Sequence, residues 1–359
     1  MTWIERIAGH SAKCGRVVRV SVIRTDGSVP REVGASMMVS DTLLDGTIGG
    51  GALEFEAIAR ARYLLDDARP DHSAWQRQVK HYPLGPSLGQ CCGGHVRLLF
   101  EVLGDRELSE IRPTVDCTMA ASTLIIRPIK GGSPMQIVPG NCDRSASPAA
   151  WPNALERVVR DMRSGARPTE AVLVRSPATG SDWFVEPLMR RASQLFIYGA
   201  GHVGRSVVRV LEGLRFDITW IDTHRLRFPE ALRPGVRMVV AGDPTVIAGC
   251  APPGTFHLVL TYSHALDLAI CSRLMEGAAF GYLGLIGSAS KRSRFIKRLA
   301  EAGVPQPSLS RLVCPIGMDG ITGKEPNIIA VSVVADLLRR LSEMDTVPIH
   351  EHVQNVSAF

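Results

Sequence analysis

The sequence has no apolar run approaching the roughly 20 residues that a bilayer-spanning helix needs. The longest candidate, Ile328 to Leu338, holds Ser332 and Asp336 and reads as a buried helix, so no membrane partner is expected. The opening Met1-Thr2-Trp3-Ile4-Glu5 lacks the basic stretch and apolar core of a secretory leader, which makes a cytoplasmic location the expectation. Aromatics are scarce, at 6% of the chain. Phe295 stands alone within the one basic cluster, Lys291, Arg292, Arg294, Lys297 and Arg298, and no run of stacking aromatics interleaves with it, so base stacking is poorly served and nucleic acid is not expected as a partner. An anionic small molecule suits the formal charge of +6 as well. The eight cysteines include no CxxC pair, and no Cys/His spacing reads as a structural zinc site. In a cytosolic chain they are expected to be reduced and, for the most part, to act as small core hydrophobes. Repeats and low-complexity tracts are also missing.

What remains is an ordinary globular composition, 45% hydrophobic and 21% charged over 359 residues, enough for two domains. Short β-like runs at Val17 to Ile23, Ser36 to Val39 and Val96 to Glu101 alternate with glycine-rich turns. Between them, Leu53 to Asp67 reads as a helix with Phe55, Ile58, Ala59 and Tyr63 on its inward face. The expected first domain is α+β, residues 1–190. Its irregular middle holds a helix near Trp151 to Arg163 and a strand near Ala171 to Arg175. From Gln194 the pattern becomes apolar runs separated by helical stretches, at Leu195 to Tyr198, Ile218 to Ile221, Val236 to Val240, His257 to Thr261, Tyr282 to Ile286 and Leu312 to Cys314. Such runs imply parallel strands buried on both faces. Residues 191–345 are therefore expected to form a Rossmann-like doubly wound α/β domain, with 346–359 as a mobile tail.

Directly after the first of these runs stands Gly199-Ala200-Gly201-His202-Val203-Gly204, followed by a helix over Arg205 to Leu214. Strand, GxGxxG, helix and an acid about 20 residues on coincide; the acid, Asp222, can accept from ribose hydroxyls. The turn brings backbone close to a ligand, and the helix start favours a phosphate. The alternative is a Rossmann fold whose nucleotide site has decayed. His202 faces either ligand or solvent. Loops after the fourth and fifth strands should reach the same edge, with Thr261, Ser263 and His264 on one. Gly287, Ser288, Ser290, Lys291 and Arg292 stand on the other. Ser288, Lys291 and Arg292 could meet an anion there; alternatively Ser288 caps a helix and the bases are solvated.

The first domain holds two less common segments. Gly46-Thr47-Ile48-Gly49-Gly50-Gly51 runs straight into the helix bearing Glu54. Three glycines in a row suggest close backbone approach or positive φ, and their amides could cradle a phosphate or a pterin edge. A demanding hairpin turn is the other reading. In Leu84-Gly85-Pro86-Ser87-Leu88-Gly89-Gln90-Cys91-Cys92-Gly93-Gly94, paired cysteines sit between flexible glycines. Thiolates are soft ligands for a late or sulfur-bound metal, which makes Cys91 and Cys92 candidate metal ligands. A vicinal disulfide or plain burial remains the alternative. Gln90 adds donors and an acceptor beside them.

These segments, with Gly27-Ser28-Val29-Pro30-Arg31, Tyr198 to Gly204, and Cys314-Pro315-Ile316-Gly317 through Gly323-Lys324-Glu325-Pro326, resemble the xanthine dehydrogenase accessory protein family, XdhC/CoxI. The resemblance implies a cofactor chaperone without catalytic residues of its own. It would bind molybdenum cofactor (molybdopterin), protect it during sulfuration by a cysteine desulfurase, and deliver it to the molybdenum-binding subunit of an apo xanthine dehydrogenase. It also implies a homodimer. The soft metal end and the anionic phosphate end of such a cofactor suggest one cleft shared by the two domains. The Rossmann half alone admits another reading, an NAD(P)-dependent oxidoreductase or a regulatory nucleotide-binding module, though no Lys/Tyr or Cys/His catalytic pairing accompanies it.

Overall fold

The computed structural model describes residues 3–67, 75–85, 93–116, 123–139, 151–176, 180–189, 192–231, 235–277 and 279–346. The chain divides into two compact units, one up to Arg191 and one over Ala192–His350. No helix among the described residues is long and apolar enough to cross a membrane.

The first unit runs α1 (Trp3–Cys14), β1 (Val17–Asp26), β2 (Ser36–Val39), β3 (Leu44–Gly46), α2 (Gly51–Asp67), β4 (Arg77–Pro83), β5 (His95–Leu103), α3 (Asp105–Asp116), β6 (Leu124–Pro128), β7 (Gln136–Val138), α4 (Asn153–Ser164), β8 (Val172–Ser176) and β9 (Ser181–Pro187). One antiparallel sheet has the order β3-β2-β1-β5-β4; a second, over the stretch read from sequence as irregular, has the order β7-β6-β9-β8. Period-two alternation sorts the strands' side chains. Val18, Val20, Val22, Leu98 and Phe100 pack under α2, while Leu124, Ile126 and Val185 pack under α4. The opposite faces of the two sheets meet through Ile23 and Leu99 on one side and Ile129 and Phe184 on the other.

Two expectations need correction. The inward face of α2 is Leu53, Ala57, Ala61 and Leu65. Phe55 and Tyr63 are 75% and 54% exposed. Apolar residues surround this helix, so periodicity does not single out one stripe, and the small alanines let its backbone approach the sheet. β4 escapes the sequence pattern because it is a polar edge strand whose one buried hydrophobic residue is Tyr82.

Along the seam between the sheets lies a group of charges. Arg19 of β1 grips Glu186 of β9 with both nitrogens, at 2.6 and 2.9 Å. Arg127 Nε meets Glu101 at 2.9 Å, Arg127 Nη2 meets Glu186 at 2.8 Å, and Arg77 Nε meets Glu101 at 3.0 Å. None of these side chains is more than 4% exposed. Burial pushes the Glu186 carboxyl upward, but Arg127 and Arg19 outweigh it and hold the group at about 2, below its ordinary 4.5.

The second unit runs β10 (Ser193–Tyr198), α5 (His202–Val210), β11 (Phe216–Asp222), β12 (Val236–Val240), α6 (Pro244–Gly249), β13 (Phe256–Val259), α7 (His264–Gly277), β14 (Tyr282–Leu285), α8 (Ala289–Glu301), α9 (Gln306–Ser310), β15 (Leu312–Val313) and α10 (Pro326–Thr346). All its strand pairs are parallel, in the order β12-β11-β10-β13-β14-β15. Val207 of α5 and Val333 and Leu337 of α10 cover one face; Ile270 and Leu274 of α7 and Phe295 of α8 cover the other. This is the expected Rossmann-like sheet. Its direction of winding reverses between β10 and β13, which opens a crevice at the carboxyl ends of those strands.

Replacing Glu186 by Gln should leave Arg19 and Arg127 under-neutralised in the seam and cost about 3–5 kcal/mol at neutral pH, read by urea unfolding. Because the folded carboxyl titrates below its unfolded value, its contribution is complete above about pH 4.5 and declines as pH falls toward about 2. The gap between wild type and Glu186→Gln should therefore narrow through that window. A gap that stays constant to pH 2.5 contradicts this assignment.

Candidate functional site

In the second unit the crevice is built around the turn between β10 and α5. Gly199 has φ of 118°, and a Cβ there would lie 2.4 Å from the Leu260 carbonyl. A Cβ on Gly204 would lie 2.1 Å from the Gly199 carbonyl. These two glycines let strand, loop and helix backbones touch. Gly201 differs, since a Cβ there would meet nothing within 4 Å. As the N-cap of α5 it gives no side-chain hydrogen bond, and the first turn carries no acid. By contrast, Asp243 caps α6, and Ser288 caps α8 by accepting from Lys291 N. The amides at the start of α5 are thus left for an anion. His202, the first residue of that helix, is exposed.

Asp222 is 6% exposed and holds the turn in place. Its Oδ2 accepts from Ala200 N at 2.7 Å, and its Oδ1 accepts from Thr223 N at 2.6 Å and Arg227 Nη1 at 3.3 Å. A ribose hydroxyl would share Oδ2 rather than find it free. Arg227 lies 4.0 Å above the ring of Tyr262, which is 69% exposed. Neither residue was singled out from sequence; an arginine shortly after the strand-ending acid was the available signal, because it suits a ribose phosphate.

Lys291 does not offer its charge outward as the sequence reading had it. It is 6% exposed, and its Nζ donates to Asp267 Oδ2 at 2.6 Å and to the Ile286 carbonyl at 2.9 Å. Asp267 is fully buried and also accepts from Thr261 Oγ1 at 2.6 Å. It ties the loops after β13 and β14 together, and only its place in the first turn of α7 hinted at it. Ser263 Oγ accepts from Leu266 N at that helix's start. His264, Ser288 and Ser290 are exposed, and Gly287 and Arg292 partly so.

In the first unit, the glycine-bearing segments converge at one end of the sheet. A Cβ on Gly94 would lie 2.3 Å from the Ser28 carbonyl, and one on Gly49 would lie 2.5 Å from Pro30 Cγ. The cradle expected at Gly49, Gly50 and Gly51 exists, but the chain fills it. Glu54 Oε2 accepts from Thr47 Oγ1 at 2.6 Å, Gly50 N at 3.0 Å and Ile48 N at 3.1 Å. Burial raises this carboxyl's pKa, and those donors more than reverse the effect. Gln90, Cys91 and Cys92 lie outside the described residues. Among the described residues no three His, Cys, Asp or Glu side chains gather as metal ligands. Of the described cysteines, Cys271 and Cys314 are core residues, as expected, whereas Cys250 is exposed and Cys14 half-buried, against that expectation.

Residues 11–78 match the family model described as XdhC and CoxI family, and residues 195–337 match the one described as XdhC Rossmann domain. The uncharacterized protein YqeB of Escherichia coli strain K12 is 32% identical over 149 residues, 41% of this chain. That match spans 27% of the relative's own length. The crystal structure of a xanthine dehydrogenase from Bacillus halodurans is similar over 96% of this chain and 97% of its own, with a TM-score of 0.72 at 18% identity, a likeness of fold.

The glycines separate packing from binding. Gly204→Ala should cost about 1–3 kcal/mol by forcing α5 off the turn. Gly201→Val should stay within about 1 kcal/mol of wild type while blocking the helix start. Thermal unfolding of the two variants checks this, and equal losses would contradict the division of roles.

Proposed function

The chain belongs to the XdhC and CoxI family, and on that premise we propose that it is an accessory factor that binds molybdenum cofactor and matures a xanthine dehydrogenase-type enzyme. The observation that carries the reading is the uncapped start of α5 at the switch point of a Rossmann domain of that family. A phosphate-bearing ligand fits there on physical grounds: open amides, the positive end of a helix, and space over Gly201. Bound molybdenum cofactor supplies metal–sulfur redox chemistry to the client; this chain's residues hold and shield it. Gly201 and His202 would face the phosphate, Gly199 and Gly204 would let the backbones come close enough to shape the turn around it, Asp222 would fix that turn, and Ser288 and Arg292 would border it. Cys91 and Cys92, with Gln90 beside them, are the candidate thiolate ligands of the metal end.

The client would be the molybdenum-binding subunit of an apo xanthine dehydrogenase, with a cysteine desulfurase acting while the cofactor is held and a homodimer as the working form. A second reading, an NAD(P)-dependent oxidoreductase, is favoured by Arg227 beside Asp222, since that pair suits a ribose phosphate.

Protein purified from a host that makes molybdenum cofactor should carry molybdenum and pterin in equal amounts, by metal analysis and pterin fluorescence. The double variant Cys91→Ser, Cys92→Ser should lose about ten-fold or more of both with its circular dichroism unchanged. Unchanged cofactor content in that variant removes the thiols from the site. Tight NAD(P) with hydride transfer and no pterin would favour the second reading instead.

A further inference from the structure

The seam of the first unit ends in a cavity of about 250 Å³ whose lining is unusually basic, with Arg24, Arg97, Arg175, His81 and His95 set against Asp26. Its composition follows from a break in strand regularity. On an unbroken β1, Arg24 would share the α2 face with Val18, Val20 and Val22. A register shift between Val22 and Arg24 against β5 changes the parity. It pairs Arg24 with Arg97 and Asp26 with His95. Bulges of this kind re-aim side chains, and they are enriched beside binding sites. On the next strand His81 pairs with Arg97. Arg175 enters from the second sheet, opposite Asp182 in its β8–β9 register.

Two arginines opposite one another on neighbouring strands repel unless something neutralises them. Arg24 is neutralised, by a bidentate grip on Asp26 with both contacts at 3.0 Å. Arg97 is poorly served. Its side chain is 14% exposed, its Nε has no hydrogen-bond partner, and its ion pair to Asp182 is long at 3.6 Å. Exposed Arg175 adds charge to the same cavity. A half-buried guanidinium with a buried, unpartnered Nε in a concave site calls for an acceptor, and the fork of arginine matches tetrahedral oxyanions. His81 and His95 each bring an imidazole N–H in either tautomer.

We propose that this cavity is an oxyanion site that takes a phosphate monoester group, gripped by Arg97 and Arg175 and flanked by His81 and His95. Its residues all belong to the first unit, and it does not depend on the cofactor reading.

The test is a titration of full-length protein with inorganic phosphate in chloride buffer, in the Gly201→Val background, which silences the helix start of α5. Binding is read by calorimetry and by the imidazole C–H resonances of His81 and His95. The expected result is saturable binding that shifts both sets of resonances. It should weaken about ten-fold or more in Arg175→Gln, whose exposed side chain can be lost without unfolding, as in Arg97→Gln. The proposal is overturned if the Gly201→Val protein binds no phosphate, if the histidine resonances stay still, or if Arg175→Gln binds as the parent does.

Discussion

The first unit depends on how charge is disposed along the seam between its two sheets. Hydrophobic layers could have closed that seam everywhere, as Ile23, Leu99, Ile129 and Phe184 do in the middle. Instead, one stretch buries two carboxylates among three guanidiniums. Desolvating such a group costs several kcal/mol per ion, and only mutual geometry offsets it. Arg19, Glu101, Arg127 and Glu186 come from four different strands, so the cluster is satisfied only when both sheets hold one register. Further along, the bulge in β1 brings Arg24 to the same seam, and there cations outnumber carboxylates. One seam thus has a closely paired, buried stretch that fixes structure and a loosely paired end, where Arg97 keeps an unpartnered Nε, that is open to ligand.

The second unit uses buried polar ties of a different kind. Asp222 holds the glycine turn through Ala200 N, and Asp267 holds two crevice loops through Thr261 and Lys291. Each is a carboxylate whose acceptors are occupied by the chain itself, so neither is an unclaimed acceptor for a ligand. Their effect is preorganisation: the loops at the switch point are fixed before anything binds, which lowers the ordering cost of binding.

Much of this was legible in the sequence, for reasons that differ by element. The central parallel strands of the second unit read clearly because both their faces are buried, as in the Leu195 to Tyr198 run of β10, and Val236 to Val240 matches its strand end to end although it lies at the sheet edge. The glycine turn read clearly because strand, turn and helix punctuate each other within a few residues. β4 was hidden because an edge strand with one wet face needs few apolar residues. The face of α2 was hidden because half its buried stripe is alanine, while the large Phe55 and Tyr63 lie on the wet side. The partners of Lys291 and Glu54 were hidden for a deeper reason. A basic residue near a helix start looks the same in sequence whether it meets a ligand or a buried aspartate from another helix, and only the fold brings Asp267 to it.

That distinction decides where an anion can go. Among the described residues, four places gather amides or cations in the way an anion requires. At the glycine run the Ile48 and Gly50 amides already hold Glu54, and beside Ser288 the ammonium already holds Asp267. An incoming phosphate would have to displace a carboxylate that is covalently at hand, against an effective concentration no free ligand matches. The start of α5 and the arginine end of the seam carry no such internal occupant of their full donor set. β4 and β5, which supply His81 and His95 to the seam, are also the strands that the Cys91-Cys92 segment joins. By chain connectivity alone the cysteine motif joins strands of the basic cavity, so substitutions at the cysteines and at Arg97 or Arg175 test the proposed thiol and oxyanion roles separately within the first unit.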